Sequence, residues 1–396
     1  MDAHLGTRRF GVGYSASPDA ETAAAEATAA ATAGQDAALL AVFCSVGYDL
    51  QRLVDGVRAR AGQGTAIVGC TTLGQLASVM PAPGADGVVV VALGGEGLEV
   101  RTRVSRDASG RRREAGMEAA GCLAEVDRPQ RACLLLCDGL VGEQHEIVRG
   151  AYSVVGATVP LVGGCAGDEL TYSRTYQFHG DEGGVEVLTD AVVGVALGSD
   201  APLGIGVAHG WRKRGEPMHV TSSSGGRLYE LDHEPALDVY LRRIGADRSL
   251  AADPDTFRRV AFNSPLGMSR RSGEDIRVIH SGDTGDGSLL CLADVPQGAL
   301  AWLMETDTES LVAGAKESLA QAVTALGAAE PIGLLTFDCG ARKVMLGDDG
   351  MRQELNAMTG VIGEVPFGGF YTYGEIARTS GARGMHHLTL VTLAIS

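Results

Sequence analysis

The stretch VPFGGFYTYGEIA, residues 365–377, opens with apolar residues, reaches two adjacent glycines, and closes on two tyrosines, a third glycine and a carboxylate. Gly368 and Gly369 permit a turn or a close backbone approach where a side chain would interfere. Tyr371, Tyr373 and Glu375 alternate, so one extended segment would present all three on the same face, as an aromatic wall ending in a carboxylate. The stretch reads equally as a glycine bulge with two packed tyrosines. Two similar stretches precede it, TAIVGCTTLGQLA (65–77) and VPLVGGCAGDEL (159–170), each ending in glycine followed by Gln, Asp or Glu.

The flanks repeat as well. Strand-like runs lie upstream at 38–43, 132–137 and 332–337, and downstream at 88–93, 191–197 and 388–394. The reading is an α/β protein of mixed β-sheets, stacked and covered by helices. It is built from three related β-α-β-α-β-β units with an insertion before the third. Strand runs apolar throughout suit sheets buried on both faces.

Working outward, residues 10–15 read as a first strand. Ser17 and Pro18 are placed to start an alanine-rich helix over about 19–33. The second unit runs from strand-like 98–104 through helices at about 111–125 and 143–155. Residues 202–296 have no counterpart in the first unit; they include AHGWRKRGEP (208–217) and a helix at about 234–244 stopped by Gly245. The third unit then opens with 299–305. Thr306 and Glu309 form a capping-box pattern there, and Leu311, Ala315, Leu319, Ala322 and Leu326 mark one apolar helix face. The chain is divided as two domains, 1–228 and 229–396.

With 396 residues there is room for two ordinary domains. A balance of 33 Lys and Arg against 49 Asp and Glu gives a formal charge of −16, which argues against nucleic acid or an anionic membrane as partner. Residues 1–9 lack the apolar core of a signal peptide, and no apolar run reaches transmembrane length. The eight cysteines follow no framework spacing, which points to a reduced, cytoplasmic protein.

Phosphate-loop, HExxH and GxSxG signatures are absent. Gly11-Val12-Gly13 lacks the third glycine of a dinucleotide fingerprint. Cys133 and Cys137 share a strand face and suit the core, while adjacent His386 and His387 face opposite ways. No metal or cofactor is expected. Four features carry possible chemistry. Gly164 to Asp168 offers turn N–H groups beside a carboxylate. His209 and Trp211 flank a glycine before a basic run. Arg342 follows Cys339 at a strand end, where it would fork onto a carboxylate or lower the thiol's pKa. The fourth is the wall of Tyr371, Tyr373 and Glu375. Each also reads as a turn, a core pair or a structural arginine.

Taken in order, VGGCAGDE (162–169), AHGW (208–211), LDHEPALDVY (231–240), FDCGAR (337–342) and GFYTYGEI (369–376) resemble the FIST family, named for F-box and intracellular signal transduction proteins. The likeness spans about 37–396 and implies a FIST N-terminal and a FIST C-terminal domain. It implies a sensory module for a small ligand, with amino acids proposed, often beside kinase, chemoreceptor or cyclase segments. No F-box, PAS, kinase or receptor signalling segment is read in the sequence, so the expectation is a stand-alone binder or one whose signal passes to a separate partner. The expected ligand is a small polar metabolite whose cationic end meets Asp168 or Glu375 and whose anionic end meets Arg342 or turn N–H groups. Rival readings are a haem-based nitric-oxide sensor, an enzyme using Cys339 as nucleophile, and a purely structural interaction module.

Overall fold

The structure is a computed structural model that describes residues 8–270, 273–378 and 384–396. In chain order the first elements are β1 (Arg9–Ser15), α1 (Ala20–Thr32), β2 (Leu39–Cys44), α2 (Leu50–Arg58), β3 (Ala66–Thr71), β4 (Gln75–Ala77) and β5 (Val88–Gly94). Next come β6 (Leu98–Ser105), α3 (Arg112–Ala120), β7 (Gln130–Cys137), α4 (Gln144–Val155), β8 (Leu161–Cys165), β9 (Gln177–Asp181), β10 (Gly184–Leu188), β11 (Val192–Ser199) and β12 (Leu203–Ala208). An inserted stretch holds β13 (Arg212–Ser224), β14 (Arg227–Leu231), β15 (Glu234–Pro235), α5 (Ala236–Ile244), α6 (Pro254–Phe262), β16 (Leu266–Arg270), β17 (Gly273–Arg277), β18 (Ile279–Gly282), β19 (Leu289–Cys291) and β20 (Leu300–Glu305). The remainder is α7 (Thr308–Thr324), β21 (Gly333–Cys339), α8 (Gly340–Ile362), β22 (Phe367–Thr372), β23 (Glu375–Arg378), a short β24 (Met385–His386) and β25 (Leu390–Ile395).

The chain is α/β with mixed sheets, and it divides into two compact units. One comprises residues up to 209 with 312–385 and 389–396; the other comprises 210–311 with 386–388. In the larger unit three sheets share one plan. Their strand orders are β1-β5-β2-β3-β9, with β10 beyond, then β6-β11-β7-β8-β23, and β12-β25-β21-β22-β4. In each, two parallel strands (β2 with β3, β7 with β8, β21 with β22) lie beside an antiparallel return strand. The fifth strand of each sheet is borrowed. The chain leaves β3 to place β4 against β22, leaves β22 to place β23 against β8, and after β8 places β9 against β3.

Period-two alternation explains the wholly apolar strands. Leu39, Ala41 and Phe43 of β2 enter one central core with Leu134 and Leu136 of β7 and Leu335 and Phe337 of β21. The opposite faces carry helices: Leu40 and Val42 pack with Ala23, Ala27 and Leu53, and Leu135 packs with Ala115 and Ile147. Cys133 and Cys137 share that second helix-covered face.

The strand read from sequence as opening the third unit, β20, pairs instead with β13 and β16 in the smaller unit. The place beside β25 is taken by β12, which precedes the inserted residues. Sequence pattern favours β20 because it stands directly ahead of α7, whereas β12, equally short and half-buried, is cut off from that helix by the inserted residues. The cap residues also differ from the expectation. Asp19 accepts the Thr22 N–H ahead of α1, and Asp307 accepts that of Ser310 ahead of α7, since a carboxylate at those positions outcompetes the neighbouring hydroxyls. The smaller unit packs α5 and α6 on its own sheet through Leu237, Tyr240, Phe257, Met268 and Leu303. Among the described residues, no helix is long and apolar enough to cross a membrane.

Candidate functional site

In the larger unit the parallel strands β3, β8 and β22 all end at one place, and their turns are bonded to one another. The Leu73 N–H donates to the Tyr371 carbonyl (3.0 Å) and the Tyr371 N–H to the Gly74 carbonyl (2.9 Å). Tyr373 N–H donates to the Cys165 carbonyl (3.1 Å), and Cys165 N–H to that of Gly374 (2.9 Å). Gly167 N–H closes the ring on the Thr71 carbonyl (2.9 Å). This approach leaves no room for a Cβ at Gly167, which would lie 2.9 Å from the Leu73 side chain. The C-terminal ends of parallel strands are where open α/β sheets commonly place ligands.

Each borrowed strand begins with a buried amide or acid that folds back onto a threonine. Gln75 Nε2 donates to Thr72 Oγ1 (3.0 Å), Gln177 Nε2 to Thr175 Oγ1 (3.4 Å), and Thr372 Oγ1 to Glu375 Oε1 (2.6 Å). For Gln177 and Glu375 the far oxygen ties down the start of the return strand. Ala191 N–H donates to Gln177 Oε1 (3.3 Å), and Glu375 Oε2 accepts from Thr389 N–H (3.1 Å) and Oγ1 (2.9 Å). Burial pushes the Glu375 carboxyl up to about 8, against the opposing pull of those hydrogen bonds. Gly164 sits opposite Glu375 in the β8–β23 pairing, where a Cβ would lie 2.7 Å from Thr372.

The expectation that Tyr371, Tyr373 and Glu375 line one face of one strand is corrected. The chain turns at Tyr373-Gly374 and changes sheet, because β22 pairs with β21 and β4 whereas β23 pairs with β8. Tyr371 and Glu375 are fully buried, and Tyr373 is half-buried.

At the third of these strand ends a buried carboxylate stands in the strand itself. Cys44 and Cys137 end β2 and β7 opposite the first residues of β5 and β11; the matching residue on β21 is Asp338, opposite Leu390. Arg342, in the first turn of α8, donates through Nε to Asp338 Oδ1 (2.6 Å), through Nη2 to Glu354 Oε1 (2.5 Å) and through Nη1 to the His209 carbonyl (2.9 Å). Burial alone would lower the Arg342 pKa; Asp338 and Glu354 outweigh it and hold the guanidinium charged. Arg342 thus forks onto two carboxylates of its own chain. Cys339 is buried beside it, its N–H donating to the Thr389 carbonyl (3.1 Å).

Next to Arg342, Lys343 is half-buried. Its ammonium donates to the carbonyls of Leu73 and Gly84 and faces the Tyr371 ring at 5.7 Å. Burial lowers its pKa, opposed by the fields of Asp86, Glu169 and Asp348.

The turn after β8 carries an excursion that the other two lack. Asp168, itself buried, accepts from the N–H groups of Tyr172 (3.1 Å), Ser173 (2.6 Å) and Arg174 (2.9 Å), from Thr171 Oγ1 (2.8 Å) and from the Tyr373 hydroxyl (2.5 Å). Burial would raise its pKa, but these donors together hold it below the ordinary carboxylate value. Glu169, Leu170 and Tyr172 are left-handed, at φ 59°, 66° and 50°, which non-glycine residues seldom adopt. The exposed Tyr172 ring stacks on Tyr373 with centroids 5.0 Å apart.

Gly164, Asp168, Cys339, Arg342, Tyr371, Tyr373 and Glu375 therefore gather around the interlocked turns. His209 reaches that group through its backbone carbonyl, and Trp211 is buried in the smaller unit. Sequence reasoning passed over Gln75, Gln177, Lys343 and Glu354. For Lys343 a signal existed: only three of the 33 basic side chains are lysines. Among the described residues, no group of three or more His, Cys, Asp or Glu is placed to hold a metal ion.

Residues 38–234 match the FIST N domain and residues 236–378 the FIST C domain. Proteins of Mycobacterium tuberculosis from two strains, both described as uncharacterized, are 28% identical over 407 aligned positions, covering 96% of this chain and 98% of theirs. An uncharacterized protein of Methanocaldococcus jannaschii is 27% identical over 173 residues, 42% of this chain but only 33% of its own length. A crystal structure of cyanuric acid hydrolase from A. caulinodans aligns over 98% of this chain and 99% of its own. Its identity is 13% and its TM-score 0.36, too low to assign a shared fold.

Proposed function

Because the chain belongs to the FIST family, whose domains are of sensory type, we propose that it binds a small polar, amino-acid-like metabolite and signals through a separate partner. The observation that carries this reading is Lys343. It is a half-buried ammonium at the meeting point of three turns, and its hydrogen-bond acceptors are two neutral carbonyls. In this reading the ligand's acidic end meets Lys343, and its amino end lies toward Glu169 beside Asp168. Tyr373, steadied by Tyr172 and Asp168, forms a wall. Arg342, Tyr371, Cys339, Gly164 and Glu375 shape the floor from beneath.

The test is thermal melting against amino acids, nucleotides, small organic acids and haemin. A ligand at about a hundred times its Kd adds roughly 2.7 kcal/mol of stability. Amino acids should raise the Tm of the native chain and of K316A, a substitution at the exposed Lys316, but not of K343M. A flat panel supports the interaction module instead, and a Soret band with haemin supports the gas sensor. A shift retained in K343M removes the lysine from the site.

A further inference from the structure

We infer that Asp338 and Glu354 hold one proton between them, which makes the core beneath the three turns a proton-binding site joining the two halves of α8. The inference is independent of the ligand reading. Three oxygens in this cluster, all on fully buried side chains, lack a hydrogen-bond partner: Asp338 Oδ2, Glu354 Oε2 and the Tyr371 hydroxyl. Asp338 and Glu354 spend their other oxygens on Arg342, so one guanidinium draws both carboxyl groups into the same buried cluster. Two ionised carboxylates would share one guanidinium there, each with an oxygen left unpaired in the interior, a repulsion that interiors do not sustain.

Charge accounting gives the same answer. With both acids ionised, two negative charges would stand against one guanidinium in a site closed to water. A single shared proton makes the cluster neutral and places an O–H between Oδ2 and Oε2. The Tyr371 hydroxyl stands in the same cluster with its own proton to donate. Burial raises both acids and the neighbouring carboxylate raises Glu354 further, so the pair keeps a proton that belongs to the two together. The charged and titratable groups around the pair are Arg342 on α8, Tyr371 on β22 and Cys339 at the end of β21. Beyond them stand Lys343 against the Tyr371 ring and Glu375 within the field of Asp338.

The pair has a place in the architecture as well as a charge state. Gly347, at φ 58° and ψ −176°, breaks α8; Arg342 lies before the break and Glu354 after it. The Arg342–Glu354 contact therefore fastens the second half-helix to the first, and the proton is what lets Glu354 stay there.

The test is infrared spectroscopy of the full chain at pH 7, reading the carbonyl stretch of un-ionised carboxyl groups. It is made in the E375Q background, so that Glu375 does not contribute. Gln75 and Gln177 already occupy the matching places in the other two turns, so this background should fold. An un-ionised carboxyl band should remain in E375Q and disappear in E375Q/E354Q. The E354Q amide mimics the protonated acid and donates to Asp338, so E354Q should melt within ~2 °C of the native chain, whereas E354A should fall well below it. Absence of the band in E375Q at pH 7 overturns the inference, as does a band that survives E354Q together with D338N.

Discussion

Replacing Asp168 by alanine tests whether one carboxylate holds the excursion after β8 in shape. The left-handed residues Glu169, Leu170 and Tyr172 cost ~1–2 kcal/mol each, or about 3–6 kcal/mol together. Against that strain stand three backbone N–H groups and two hydroxyls donating to a single carboxylate. At ~1.5 kcal/mol for each hydrogen bond to a charged acceptor, their sum is about 7.5 kcal/mol, enough to cover the strain. Without the carboxylate the loop has nothing to offset its strain, and the balance moves by more than ~3 kcal/mol toward open forms. Native-state hydrogen exchange reads this directly. The amides of Tyr172, Ser173 and Arg174 should exchange at least ~100-fold faster in D168A, since 1.4 kcal/mol is a factor of ten. Amides of β7 and β21 should be unaffected, because the loop is peripheral to the central core. Unchanged exchange at the three loop amides would refute the reasoning.

Other outcomes follow from the same geometry. Glu375 has a folded-state pKa raised from 4.5 to about 8, so the native fold holds a proton that the unfolded chain releases above about 4.5. Native stability therefore falls as pH rises through that window, by at most ~1.4 kcal/mol per pH unit, and E375Q should escape this loss. Melting temperatures of the two proteins should coincide near pH 4.5 and separate toward pH 8; a constant gap would show the carboxyl to be ionised throughout. G369A would set a Cβ 1.7 Å from the Thr336 carbonyl and force β21 from β22, lowering stability by about 3 kcal/mol, which chemical denaturation would register. All eight cysteines are buried, so a thiol reagent at neutral pH should label them slowly in the native chain and quickly in urea. Rapid native labelling of Cys339 alone would favour the enzyme reading.

How far the amino-acid sequence could be read depended on whether a feature was local. TTLGQLA and YTYGEIA announce their turns because each sets glycine two residues after threonine and just before a buried polar side chain. Gln177 plays that part in the second turn but stands behind residues 169–174, so Asp168 looked like its counterpart although it serves the loop instead. Which sheet receives the strand after each turn is decided by packing across the whole unit, and nothing near Gly374 encodes it. Glu354 was hidden differently. In RQELNAM it looks like one more solvated helix carboxylate, and only the break at Gly347 turns it inward.

The borrowed strands have a consequence for assembly of the chain. A fragment of residues 38–234 would hold β4 without β22, β8 without β23 and β5 without β1, leaving three strand edges with unsatisfied backbone groups. The strand β12 must likewise wait for β25, roughly 190 residues later, before its own edge is covered. The FIST N and FIST C segments therefore describe stretches of sequence that mature together, like the halves of a zip. Residues 1–234 and 235–396 expressed apart should aggregate, and mixed during refolding they should recover each other.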